Sequence, residues 1–187
     1  MGADLYITKI TDAADKQYRP AFDRACQERD EYLKLCNMAK SEKMQKVIDE
    51  TYRKMLPDDG YFRDSYNDSS VLWQFGLSWW KDAIPMLNKR GNLDPKALKK
   101  LLLDHWSIFE NAMSEMQSKI GSPKLGHDNK PITSYHKMDE ETGEYVLVEE
   151  PMLYTDEDVS YYREKANRLL RFCDTAIKLR TKISASL

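Results

Sequence analysis

Residues 94–120 read DPKALKKLLLDHWSIFENAMSEMQSKI, and the spacing of the apolar side chains in this stretch decides the fold. Leu98, Leu102, His105, Phe109, Ala112 and Met116 recur at intervals of four and three. On a helix of about 3.6 residues per turn these positions form one continuous seam. Asp94 supplies a cap and Pro95 a first helical residue that has no N–H to leave unpaired. Gly121-Ser122-Pro123 closes the segment. A second seam runs along Val159, Tyr162, Ala166, Leu169, Leu170, Cys173, Ala176 and Ile177. It opens with the capping box Thr155-Asp156-Glu157-Asp158, and Lys178, Arg180 and Lys182 lie at the negative end of its dipole. Two such seams have to be buried against other helices.

Reading outward, Thr11 or Asp12 caps a helical stretch that reaches about Leu56, with Tyr18, Phe22, Ala25 or Cys26, Tyr32 or Leu33, Cys36, Val47 or Ile48, Tyr52 and Met55 on one stripe. Pro20 predicts a break at Tyr18–Arg19, the polar run 39–43 predicts another, and Pro57-Asp58-Asp59-Gly60 ends the stretch. Residues 61–70 read as a connection, with Asp68 or Ser69 capping a helix over 70–88. That helix is apolar around most of its circumference (Val71, Leu72, Trp73, Phe75, Leu77, Trp79, Trp80), which predicts a central position. Residues 3–9 give a short N-terminal strand signal. Ile132–Met138 and Glu144–Glu149 read as a β-hairpin whose loop uses Gly143 as its left-handed residue. The fold expected is mainly α. A single domain over 1–187 holds an antiparallel bundle of about four long helices, with a loop and hairpin (121–154) inserted before the last helix.

Composition narrows the function classes without naming a reaction. Lys and Arg total 29 against 31 Asp and Glu, so there is no global field to drive the chain onto nucleic acid or an anionic membrane. The start of the chain lacks the basic and apolar regions of a signal peptide, and Tyr6 stands where a myristoylation motif needs Ser or Thr. Cys26, Cys36 and Cys173 form no CxxC pair and read as buried, reduced thiols, which suits a cytoplasmic location. No phosphate-cradling, zinc, calcium or nucleophile-elbow motif occurs, and no Glu-x-x-His pair for a di-iron bundle. No cofactor and no metal is expected.

Tyr61-Phe62-Arg63-Asp64-Ser65-Tyr66-Asn67, leading to Trp79 and Trp80, is the densest candidate site. Arg63 offers a guanidinium fork to an anion, while Tyr61, Tyr66, Asn67, Trp79 and Trp80 offer hydrogen bonds and apolar walls for an anionic or sugar-like ligand. His105 and Asp64 are the candidates for proton transfer. Set against this is a scaffold reading, in which the same polar groups satisfy one another. A third feature is charge asymmetry. Residues 139–158 hold nine acids, Glu149 and Glu150 among them, and no Lys or Arg. The following stretch holds Arg163, Lys165, Arg168, Arg171, Lys178, Arg180 and Lys182 against Glu164 and Asp174. Interleaved aromatics such as Tyr161 give this last helix some RNA-binding character, but no recognition motif supports it. The leading expectation is a non-catalytic interaction or accessory protein that uses helical faces or the acidic hairpin, through a protein partner or self-association. The alternative is a small-molecule binder or small enzyme with a pocket near 61–67.

Overall fold

The computed structural model describes residues 2–66, 69–126, 128–139 and 143–186. It is mainly helical, at 58%. Among the described residues six strands and six α-helices follow one another: β1 (Gly2–Tyr6), α1 (Thr8–Lys34), α2 (Met38–Met55), β2 (Tyr61–Ser65), α3 (Val71–Gln74), β3 (Asn92–Leu93), α4 (Pro95–Asp104), α5 (Trp106–Ser118), β4 (Tyr135–Met138), β5 (Tyr145–Val148), α6 (Asp156–Lys178) and β6 (Ile183–Ser186). No helix among the described residues is long and apolar enough to cross a membrane.

The four-helix bundle gives way to helices packed on a small antiparallel sheet ordered β2-β1-β6-β3. Residues 61–65, expected as connection, form its edge strand, with Ala3 opposite Asp64 and Leu5 opposite Phe62. Period-2 alternation in β1 and β2 sends Ala3, Leu5, Phe62 and Asp64 inward. Helix α6 contributes Ala166, Leu169, Phe172, Cys173 and Ala176 to the core beneath, where it meets Leu98 and Leu102 of α4 and Phe109 and Met113 of α5. A fully buried Leu or Phe side chain stabilises by roughly 1.5–3 kcal/mol. Both seams read from the sequence are therefore core, and they close over β1 and β2.

Three predicted helices differ in their limits. The 70–88 helix is only α3 followed by a π-helical turn, Trp79–Ala83, and a 3₁₀ turn, Ile84–Met86. Gly76 ends α3 at φ +68°, where the Leu77 N–H returns to the Leu72 carbonyl and the Gly76 N–H to that of Trp73. This paired C-terminal motif favours glycine at its left-handed position, and here it overrides the apolar run. The chain then turns so that Trp79 is buried while Trp73 and Trp80 are each 57% exposed. The cap of α3 is Ser70, whose Oγ accepts from the Leu72 N–H at 3.1 Å. The 95–120 helix divides at His105, where φ −103° and ψ 10° interrupt it. Pro20 does not break α1, which begins at Thr8 with no side-chain cap. The break before α2 falls at 35–37, on the same C-terminal motif, with Cys36 at φ +50°.

Two elements stand apart from the core. Helices α1 and α2 pack on each other as an arm, and their buried side chains Ala25, Ser41, Ile48, Thr51 and Met55 do not join the central cluster. At the end of the arm Leu35 and Met38 are exposed, as is Cys36, which corrects its expected burial. The second outlying element is the β4–β5 hairpin, paired Tyr135↔Val148 through Met138↔Tyr145, with Gly143 at φ +71°. Its root is tied down by the Met152 N–H to the Ile132 carbonyl and by an ion pair from Lys124 to Asp158 of α6.

Candidate functional site

Asp64 is the best-connected polar group among the described residues. Its side chain is fully buried, turned inward by the alternation of β2. It accepts from the Ser70 hydroxyl at 2.6 Å, the Val71 N–H at 3.0 Å and the Trp79 indole N–H at 2.8 Å. Lys165 of α6 completes the set, its Nζ 2.9 Å from Oδ1. A buried carboxylate is tolerable only when paired and hydrogen-bonded, and these four donors use its accepting capacity. Asp64 thus holds the edge strand, the start of α3, the indole of Trp79 and helix α6 together. It has no lone pair left to act as a base on a ligand.

Lys165 in turn donates to the Tyr161 hydroxyl at 2.9 Å and lies over the Tyr161 ring. Burial works against its charge, but the hydrogen bond to Tyr161 and the Asp64 carboxylate outweigh it and raise its pKa above the ordinary lysine value. One helical turn further on, Arg168 donates to Asp58 at 2.6 Å and to the Tyr61 carbonyl at 3.1 Å. Its Nε–H is buried without an acceptor among the described residues. Between β2 and α6 these groups enclose an open cavity of about 520 Å³, with Phe62, Arg63, Asp64, Tyr161, Lys165 and Arg168 in its wall. The signal for the helical half of this wall was the spacing Tyr161, Lys165, Arg168, a polar stripe at four and three beside the apolar seam.

The predicted site residues scatter around this cavity. Arg63 lines it, 64% exposed and only loosely paired with Asp4 at 3.7 Å. The Tyr61 hydroxyl donates to Asp4 at 2.6 Å and its ring packs on Tyr6. Burial and the Asp4 carboxylate raise its pKa. Tyr66 packs on Trp80 with ring centroids 5.2 Å apart, and Trp79 is committed to Asp64. Asn67 lies outside the described residues, as do Asp68 and His127. His105 is separate from all of these, its Nδ1 3.1 Å from the Phe75 carbonyl. Since a carbonyl only accepts, Nδ1 carries the proton in that contact. His105 and Asp64 are not brought together for proton transfer.

On the hairpin, antiparallel register puts His136, Leu147, Met138 and Tyr145 on one face. Met138, Tyr145 and Leu147 are 53%, 72% and 55% exposed. Glu149 and Glu150 follow β5 and are exposed. Compared with known proteins, the chain matches no family model, no curated protein and no solved structure.

Proposed function

We propose that the chain is a non-catalytic cytoplasmic interaction protein that docks an extended, basic segment of a partner protein on the β4–β5 hairpin. The observation that carries this reading is the shared face of Met138, Tyr145 and Leu147, each more than half exposed. A two-stranded hairpin is marginal in water, and its open edges offer backbone N–H and C=O groups to a further strand. A partner strand would pair with an open edge, and its alternate apolar side chains would lie beside Met138, Tyr145 and Leu147 and extend their face. Charge selects the partner. Asp139, Glu144, Glu149 and Glu150 bracket the apolar centre, so lysine or arginine at the ends of the incoming segment is attracted. A second hairpin would instead bring carboxylates opposite carboxylates. The free thiols Cys26, Cys36 and Cys173 suit a reducing compartment.

A peptide array tests this directly, using short segments with an alternating apolar centre and either lysine or glutamate ends. The full chain should bind the lysine-ended set, and Leu147→Ser or the pair Glu149→Lys and Glu150→Lys should abolish binding while circular dichroism stays unchanged. Equal retention of both sets, or retention by the folded variants, would end the hairpin reading.

A further inference from the structure

The cavity between β2 and α6 has unused hydrogen-bond donors, and its polar groups are held by the fold. Asp64, saturated by its own donors, fixes the Lys165 ammonium in place. That ammonium has three N–H groups, and among the described residues two acceptors are bonded to it, Asp64 and Tyr161. The Tyr161 oxygen accepts from Lys165, which leaves its own O–H to donate, and Tyr161 is 53% exposed. Arg168 adds its buried, unpartnered Nε–H. Arg63 adds a guanidinium with a weak partner, and Ser65 adds a hydroxyl. Lys165 faces Asp64, Arg168 faces Asp58 and Arg63 faces Asp4, with Glu164 also in the wall, so what the cavity offers beside the apolar ring of Phe62 is its unused N–H and O–H groups rather than a net positive charge.

We infer that this cavity binds the oxyanion group of a small organic molecule, a carboxylate or a phosphomonoester. Arg63, Lys165 and Arg168 are the cationic contacts and the Tyr161 hydroxyl is a neutral donor. Arginine forks and a positioned ammonium are the groups that recognise such oxygens, and partial burial strengthens each contact over its value in water. The site shares no lining residue with the hairpin, so either reading can fail while the other stands.

The experiment is a titration of the full chain with inorganic phosphate and, separately, with acetate, followed by amide chemical shifts. Saturable shifts in β2 and α6 are expected. Tighter response to phosphate would assign a phosphoryl group, and tighter response to acetate a carboxylate. Arg63→Gln and Tyr161→Phe remove exposed donors without touching Asp64, so both should fold. Each should weaken binding roughly tenfold, the loss that follows deletion of a hydrogen bond to a charged group. No saturable shift with either anion, or unchanged affinity in both variants, would overturn the assignment.

Discussion

The α1–α2 arm and the body beneath β1 are built from the same kinds of residues and held in different ways. In the body, Phe62, Phe109, Phe172, Leu98 and Leu102 pack as one cluster, and Asp64 ties four segments together at its edge. In the arm, two helices bury Ala25, Ile48 and Met55 together with Ser41 and Thr51, and hydrogen bonds such as Arg29 to Gln45 stand where apolar contact would otherwise be. A helix pair with so thin a seam gains little from burial and relies on its anchorage. Gly60 supplies that anchorage at the root. Its carbonyl accepts from the Ile7 N–H, and a Cβ on it would sit 2.6 Å from the Ile10 side chain. The body should therefore unfold as a unit and the arm should open below it.

The largest expected effect is at the Asp64 hub. Lys165→Met leaves a buried carboxylate without its counter-ion, at a cost of about 3–5 kcal/mol. At roughly 2–4 °C per kcal/mol for a chain of this size, calorimetry should find the melting temperature lowered by about 6–20 °C. The folded pKa of Lys165 lies above its unfolded value of 10.5, so its contribution is complete below that pH and is lost as pH rises through the folded value. Thermal scans carried to alkaline pH should show this slope in the native chain, and Lys165→Met should lack it.

Ile48→Ala tests the other side, at about 2–4 kcal/mol. Every tryptophan, at 73, 79, 80 and 106, lies in the body. Far-UV ellipticity should fall at lower temperature while tryptophan emission holds to the native midpoint. Coincident transitions would show that arm and body unfold as one.

Asp158→Asn should cost about 1–2 kcal/mol, since it loosens both the start of α6 and the hairpin root. Burial opposes the charge of Asp158, yet the hydrogen bonds from Lys124 and from the Thr155 N–H and hydroxyl hold its pKa below 3.8. Its stabilisation is present above pH 3.8 and disappears as pH falls through the folded value, so native and variant melting curves should converge in acid. The smallest effect is at the tip of the arm. Cys36→Gly relieves a left-handed residue at φ +50° and should stabilise the arm by about 1 kcal/mol, read by hydrogen exchange in α1 and α2. Thiol alkylation gives the same contrast chemically: exposed Cys36 should react quickly, and Cys173, pushed up to about 12 by burial, should not react in the folded chain.

The helices were legible where periodicity and capping agreed. Asp94 accepts from the N–H groups of Lys96 and Ala97, Asp158 from that of Thr155, and both seams are core. Periodicity misleads where one backbone position outweighs a run of side chains. Gly76 ends α3 inside an apolar stretch, and Cys36 performs the same turn without being glycine. Strand β2 carries a weak signal because its alternation sends only Phe62 and Asp64 inward, and one of those is charged. The polar density at 61–67 was visible, but its partners Lys165 and Arg168 lie about a hundred positions away in sequence. Only the β2–α6 packing brings them together.

The place of β1 has a consequence for how the chain acquires its shape during synthesis. It lies between β2 and β6, with Asp4 opposite both Arg63 and Ser186. The arm and the β1–β2 pair can form while later segments are still being translated. The sheet, however, is completed only when Ile183–Ser186 clears the ribosome, because among the described residues β6 is the strand that joins β3 to β1. Until then one long edge of β1 is open and the seam of α6 has no finished surface to close on. Synthesis of this chain therefore includes an interval of exposed strand and apolar helix before β6 emerges, during which aggregation or chaperone capture competes with folding.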